Sequence, residues 1–256
     1  MSVFNKLKAS IGIGAATVDT VVDQDTYAQG DTVSGTVKVK GGGVEQELNG
    51  IDLYFMTTVI VEGEDSEYED EYCFEVVRVG SDIKVQPGQE LDLPFSAELP
   101  LDTPITNGVM NVWVRTQVDI SMAVDPKDLD PLKVLPSKTY QSFLDAVGEL
   151  GFHIRKVKNI KTHHVASGVA QKSEYIPMDG PFRGELDELE LVVFPAADGI
   201  RVVTEVDRKA KGLGGLFAEA LDVDESKASF FIGREVLESG SAAVREELER
   251  TLKKYL

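Results

Sequence analysis

His163 and His164 are neighbours, and with His153 they are all the histidines of this 256-residue chain. On a strand, adjacent side chains point to opposite faces, so the pair does not close on one metal. No second ligand cluster or HExxH-type spacing completes a zinc site. Serines are plentiful, but none lies in Gly-x-Ser-x-Gly, the elbow that presents a nucleophile for acyl transfer. Lys211-Gly212-Leu213-Gly214-Gly215 has the glycines of a phosphate-binding turn without the GxxxxGK[ST] arrangement, and it follows a polar stretch, so it reads as a hinge to a short helix. Seven of the ten residues from Glu62 to Glu71 are acidic. They lack the calcium-loop spacing with its central glycine and read as the solvated tip of a hairpin. Cys73 has no partner for a disulfide, which favours a reducing cytoplasm, and it reads as an inert strand residue. The expectation is a protein with no catalytic residue, no cofactor and no metal.

Charge narrows the partners. The formal net charge is -18, and residues 1–130 hold 24 Asp and Glu against 8 Lys and Arg, while residues 131–256 hold 20 against 18. A first half at -16 repels phosphate backbones and anionic headgroups, so nucleic-acid binding is disfavoured and a basic partner is favoured. No run of about eighteen apolar residues provides a membrane span, and no secretory signal opens the chain. With 42% hydrophobic residues a substantial core is expected.

The elements that would position any site read as strands. Val33, Gly35, Val37 and Val39 alternate with polar neighbours, and Gly30 before Asp31 suits the tight turn that must precede them. Ile51, Leu53, Phe55, Val59 and Val61 share one parity, and Val112, Val114, Val118, Ile120 and Met122 share another, which turns Trp113 to the opposite face. Pro94 marks an edge or bulge, because proline cannot donate to a ladder. Phe4, Leu7 and Ile11 have helical spacing over residues 3–11. The stretch from Asp125 to Pro136, with Pro126 and Pro131, reads as a linker dividing residues 1–128 from 129–256.

Beyond it, Ser137 is placed to cap a helix over 138–150 carrying Tyr140, Phe143, Leu144 and Val147 on one stripe. Strand patterns follow at Phe152, Ile154 and Lys156; at Leu189, Leu191 and Val193; at Ile200, Val202, Thr204 and Val206; and at Phe230 with Ile232. Further helices are expected over 213–221 and 242–256. The last offers Val244, Leu248 and Tyr255 as an apolar seam, through which the weakly charged second half forms a homodimer unless the helix packs instead on the chain's own sheet.

Tyr27, Gly30, Asp31, Val33 and Gly35, followed by Pro87-Gly88, Phe95, Pro100 and Pro104, resemble the phrases of an arrestin N-domain. The run Gly180-Pro181-Phe182-Arg183-Gly184-Glu185-Leu186-Asp187-Glu188-Leu189 resembles the bacterial and archaeal sporulation-control proteins, an arrestin-like family. The resemblance extends over nearly the whole chain. It implies a mainly β fold of two tandem antiparallel β-sandwich domains with short amphipathic helices, and a non-enzymatic cytoplasmic regulator or adaptor acting through protein–protein interaction. The alternative is a small-ligand or lipid-binding sandwich with residues 212–226 as its lid.

Overall fold

The computed structural model describes residues 15–63, 66–108, 111–120, 127–207 and 229–254. The expected segments 3–11, 213–221 and 212–226 lie outside them, as do Phe4, Leu7, Ile11, Met122 and Tyr255. Eight strands come first: β1 (Thr17–Val22), β2 (Thr26–Ala28), β3 (Thr32–Lys40), β4 (Gln46–Glu62), β5 (Glu67–Val85), β6 (Glu90–Glu98), β7 (Val112–Ile120) and β8 (Lys127–Leu135). Then follow α1 (Lys138–Glu149), β9 (Phe152–Lys161), β10 (Val169–Pro177), β11 (Glu188–Ala196), β12 (Gly199–Asp207), β13 (Ser229–Gly233), α2 (Arg234–Glu238) and α3 (Ser241–Leu252).

The first half stacks a three-stranded sheet, β1-β3-β6, on a five-stranded sheet, β2-β8-β7-β4-β5. Alternation does the work: Val33, Val37 and Val39 from one sheet meet Leu48, Ile51, Leu53, Phe55, Val112 and Val114 from the other in a single core. Gly30 takes φ +84°, and Asp31 closes its turn by donating its N–H to the Ala28 carbonyl. Pro94 lies on β6, the edge strand of the smaller sheet, opposite Thr36 of β3, a position where a missing N–H is tolerated.

Residues 127–135 are a strand rather than a linker. β8 pairs antiparallel with β7 from Lys127 to Leu132 and parallel with β2 from Lys133 to Leu135. Pro131 is tolerated because β2 does not extend to it. The first five-stranded sheet therefore runs past residue 128, and the connection to the helical segment shortens to Pro136 and Ser137.

The second half contains a five-stranded antiparallel sheet, β13-β12-β11-β10-β9. Among the described residues its second layer is helical: α1, α2 and α3 cover one face through Tyr140, Phe143, Leu237, Val244, Leu248 and Leu252. Ser137 caps α1 by accepting the N–H of Tyr140. Val244 and Leu248 are thus spent inside the chain's own core, at 0% and 1% exposure, which is the expected alternative of packing within the chain. Ile154 also departs from its expected face: the register shifts between Glu174 and Tyr175, and Ile154 is 58% exposed while Phe152 is buried.

Where β1 meets β8, Asp128 accepts the N–H of Thr20, and one carboxylate oxygen of Asp130 is enclosed without a hydrogen-bond partner. Burial, then the charges of Asp128 and Asp19, push the Asp130 carboxyl up to about 6. A carboxyl whose pKa is raised on folding stabilises the fold below the unfolded value and loses that contribution as pH climbs through the folded one. The gap corresponds to about 3 kcal/mol. Solvent reaches this half-buried group, reducing the figure to about 1 kcal/mol. Asp130→Asn is accordingly expected to stabilise the protein by about 1 kcal/mol at neutral pH and by little near pH 4. Urea midpoints measured at both pH values check this, and an equal change at both would contradict it.

Candidate functional site

Two features on the first half are candidates for contact with other molecules: the acidic β4–β5 hairpin and the outer face of β7 and β8. The hairpin is partly engaged by the chain itself. Lys158 and Lys156 of β9 both reach Glu67, and Lys161 reaches Asp70 at 3.3 Å and lies 5.5 Å from the Tyr72 ring. The hydrogen bond from Lys158 holds the Glu67 carboxyl below its usual value. The tip is therefore not simply solvated, because part of its charge meets lysines about ninety residues away in sequence.

Beneath these pairs Asn159 is fully buried at the joint between the halves. Its Nδ2 donates to Thr57 Oγ1 at 2.9 Å and to the Thr58 carbonyl at 3.0 Å, and Thr57 donates onward to the Asn111 carbonyl at 2.8 Å. The Ser167 N–H reaches Asp102 at 3.0 Å, and the Gln171 amide reaches the Ile105 carbonyl at 2.7 Å. The joint is a polar seam held by directional bonds.

The outer face of β7 and β8 carries apolar groups that this seam does not use. Val112 and Val114 are buried at 2% and 0%, so Trp113 between them projects outward, half-buried, as its parity requires. The β7–β8 register sets Pro131 opposite Trp113 and Leu129 opposite Arg115. Leu129 is 59% exposed. Together with Thr26, Thr58, Asp25, Glu71 and Lys133 they line an open groove of about 810 Å³. Glu71 is paired with Arg115. Surfaces of this size with an aromatic floor and charged rim are suited to holding side chains of another molecule.

The chemistry available elsewhere is modest. Glu174, Glu188 and Glu190 bring carboxylate oxygens within 4.8 Å of one another, but Arg155 pairs with Glu188 and Lys172 with Glu190 at 2.7 Å, so the cluster is already compensated. The Cys73 thiol donates to the Glu75 carbonyl and burial pushes its pKa up, which lowers its thiolate fraction. His153 lies 3.8 Å from Asp179, and His164 packs edge-on against Phe194. Among the described residues, no helix is long and apolar enough to cross a membrane.

The motif residues singled out in sequence fall into two separate cores. Tyr27 and Phe95 are buried in the first, next to the turn at Gly30 and the tight crossing at Gly35, where a Cβ would strike the Val21 carbonyl. The carbonyl of Pro100 accepts the N–H of Thr103, and Gly88 (φ +69°), after Pro87, donates to the carbonyls of Gly41 and Gly42. Gly180, Pro181 and Phe182 belong to the second half, where Phe182 is fully buried and stacks on Phe152 at 5.3 Å. These residues build turns and cores and do not converge on the groove. Nothing in the spacing of Leu129, Pro131 or Asn159 marks them as site residues. Only the parity of Trp113 pointed toward the outer face.

Comparison with known proteins shows what the chain is similar to. A family model described as Spo0M, SpoOM protein, matches residues 4–210. The sporulation-control protein spo0M of Bacillus subtilis (strain 168) is 37% identical over 258 residues, covering 100% of this chain and 98% of the relative. The crystal structure of Spo0M, sporulation control protein, from Bacillus subtilis superposes with a TM-score of 0.84 at 33% identity, covering 95% of this chain and 100% of the other. A relative matched end to end and a family model spanning most of the sequence establish descent as well as fold: the chain belongs to the SpoOM protein family.

Proposed function

We propose that this protein is a non-enzymatic cytoplasmic regulator that works as an adaptor, contacting partner proteins through the groove around Trp113. Kinship with a sporulation-control protein supports the regulatory part of the reading. The groove supports the adaptor part: a half-buried tryptophan beside an exposed leucine and a proline is an unusual surface on a half as acidic as this one. The arrestin-like resemblance of the strand phrases points the same way.

The test compares the wild-type chain with Leu129→Glu, a substitution at an exposed position that leaves the core intact. Crosslinked capture from the source cell, read by quantitative mass spectrometry, is expected to lose at least one partner about tenfold with the variant, the size of a hot-spot loss of about 1.4 kcal/mol. Identical partner sets would sink the groove reading.

A second reading has its own observation. A cavity of about 650 Å³ on the second half is lined by Ser137, Lys138, Ser142, Arg234 and Leu237 among others, with Leu101 from the first half, a size that suits a small ligand. Native mass spectrometry of the freshly isolated protein tests it: a retained small molecule favours this reading, and an apo mass favours the adaptor.

A further inference from the structure

We propose that the segment received by the Trp113 groove is basic, seating an arginine or lysine over the Trp113 ring with its aliphatic stem, or an apolar neighbour, against Leu129 and Pro131. This deepens the adaptor reading and rests on it. Tryptophan is the best aromatic platform for a cation, and a half-buried one beside open space leaves part of the ring accessible to a partner. Arginine and lysine both combine a stem that covers apolar surface with a charged head that stays near solvent. That matches a groove with an aromatic and aliphatic floor and a polar rim.

The rim alone does not set the sign. Asp25, Glu71 and Lys133 all line the groove, and Arg115 already engages Glu71. With the rim near balance, the field of the surrounding half decides, and residues 1–130 carry a formal -16. Such a field attracts a cationic segment and repels an acidic one, and it acts mainly on encounter, so it is screened by salt. The lysines of β9 show the same preference within the chain, since they are what the acidic hairpin has taken up.

A library of random peptides displayed on phage, selected on the full-length protein, tests this. Enriched sequences are expected to carry Lys or Arg next to an aliphatic or aromatic residue. A synthetic copy of the most enriched peptide, followed by fluorescence anisotropy, is expected to bind about fivefold or more weakly at about 300 mM than at about 50 mM salt. It should also lose about tenfold in affinity to Leu129→Glu and a comparable factor to Asp25→Lys. Far-ultraviolet circular dichroism of both variants checks that they fold. Enrichment of neutral or acidic peptides that still depend on Leu129 would overturn the basic chemistry while leaving the groove as a docking surface. Peptides that bind Leu129→Glu as well as wild type, or a selection that enriches nothing, would overturn the proposal. If peptides fail but the cellular capture still depends on Leu129, the adaptor reading survives without this partner chemistry.

Discussion

Phe182→Ala is expected to destabilise the protein by about 3–5 kcal/mol, the usual cost of emptying a fully buried aromatic site. Phe182 is 0% exposed and stacks on Phe152, and its ring belongs to the same core as α1 and α3. The turn that delivers it is constrained: Gly180 takes φ +70°, and a Cβ there would strike the Leu150 carbonyl. That core is built from the five-stranded sheet and the three helices that cover it, so it has little freedom to collapse into the void. Pro181→Ala, at an exposed position one residue away, should cost well under 1 kcal/mol. Urea unfolding of the two variants makes the comparison. A loss below about 1 kcal/mol for Phe182→Ala would mean that the motif does not anchor this core.

Asn159→Asp is expected to be the most damaging single change at the joint, costing about 3 kcal/mol at neutral pH. The substitution removes both N–H donors from Thr57 and Thr58 and puts a carboxylate in a fully buried position that now faces the Thr58 carbonyl. Burial of that kind raises a carboxyl pKa. The variant should therefore recover part of its loss relative to wild type as pH falls toward about 4, where a protonated acid restores one donor. The sign follows from linkage: an Asp whose pKa is raised on folding destabilises above the raised value and does so less below it. Thermal melts of wild type and variant across pH check this. A pH-independent difference, or none at all, would show that the polar seam does not hold β9 against β4.

What the sequence disclosed and what it concealed divide along range of interaction. Local signals were legible: Ser137 capping α1, Gly30 in its turn, the alternation of Val33, Val37 and Val39, and the outward face of Trp113 all depend on residues within one element. The strand β8 was hidden by its composition, because Pro126, Pro131 and Pro136 mimic a linker and, among its described side chains, Leu132 and Val134 alone are buried apolar groups. In β11, Leu191, Val192, Val193 and Phe194 are all buried, since the sheet is covered on both faces, and period-two reading cannot assign them to layers. Val244 and Leu248 have the spacing of an amphipathic stripe, but spacing does not say whether the stripe meets another copy or the chain's own α1. The joint was the least legible. An acidic run and scattered lysines are visible in any listing of the residues, whereas which lysine meets which acid is set by the docking of β9 on β4. The groove shares that origin, since Leu129 and Pro131 come beside Trp113 only once β8 is paired with β7.

The adaptor account is tested most directly by photo-crosslinking in the source cell, with a benzophenone side chain placed at position 129 on the groove and, separately, at exposed position 178 on the second half. The account predicts discrete protein adducts from position 129 that are absent from position 178, and the basic-segment inference adds that Asp25→Lys weakens them. Adducts equally abundant from both positions, or none from position 129, would contradict it.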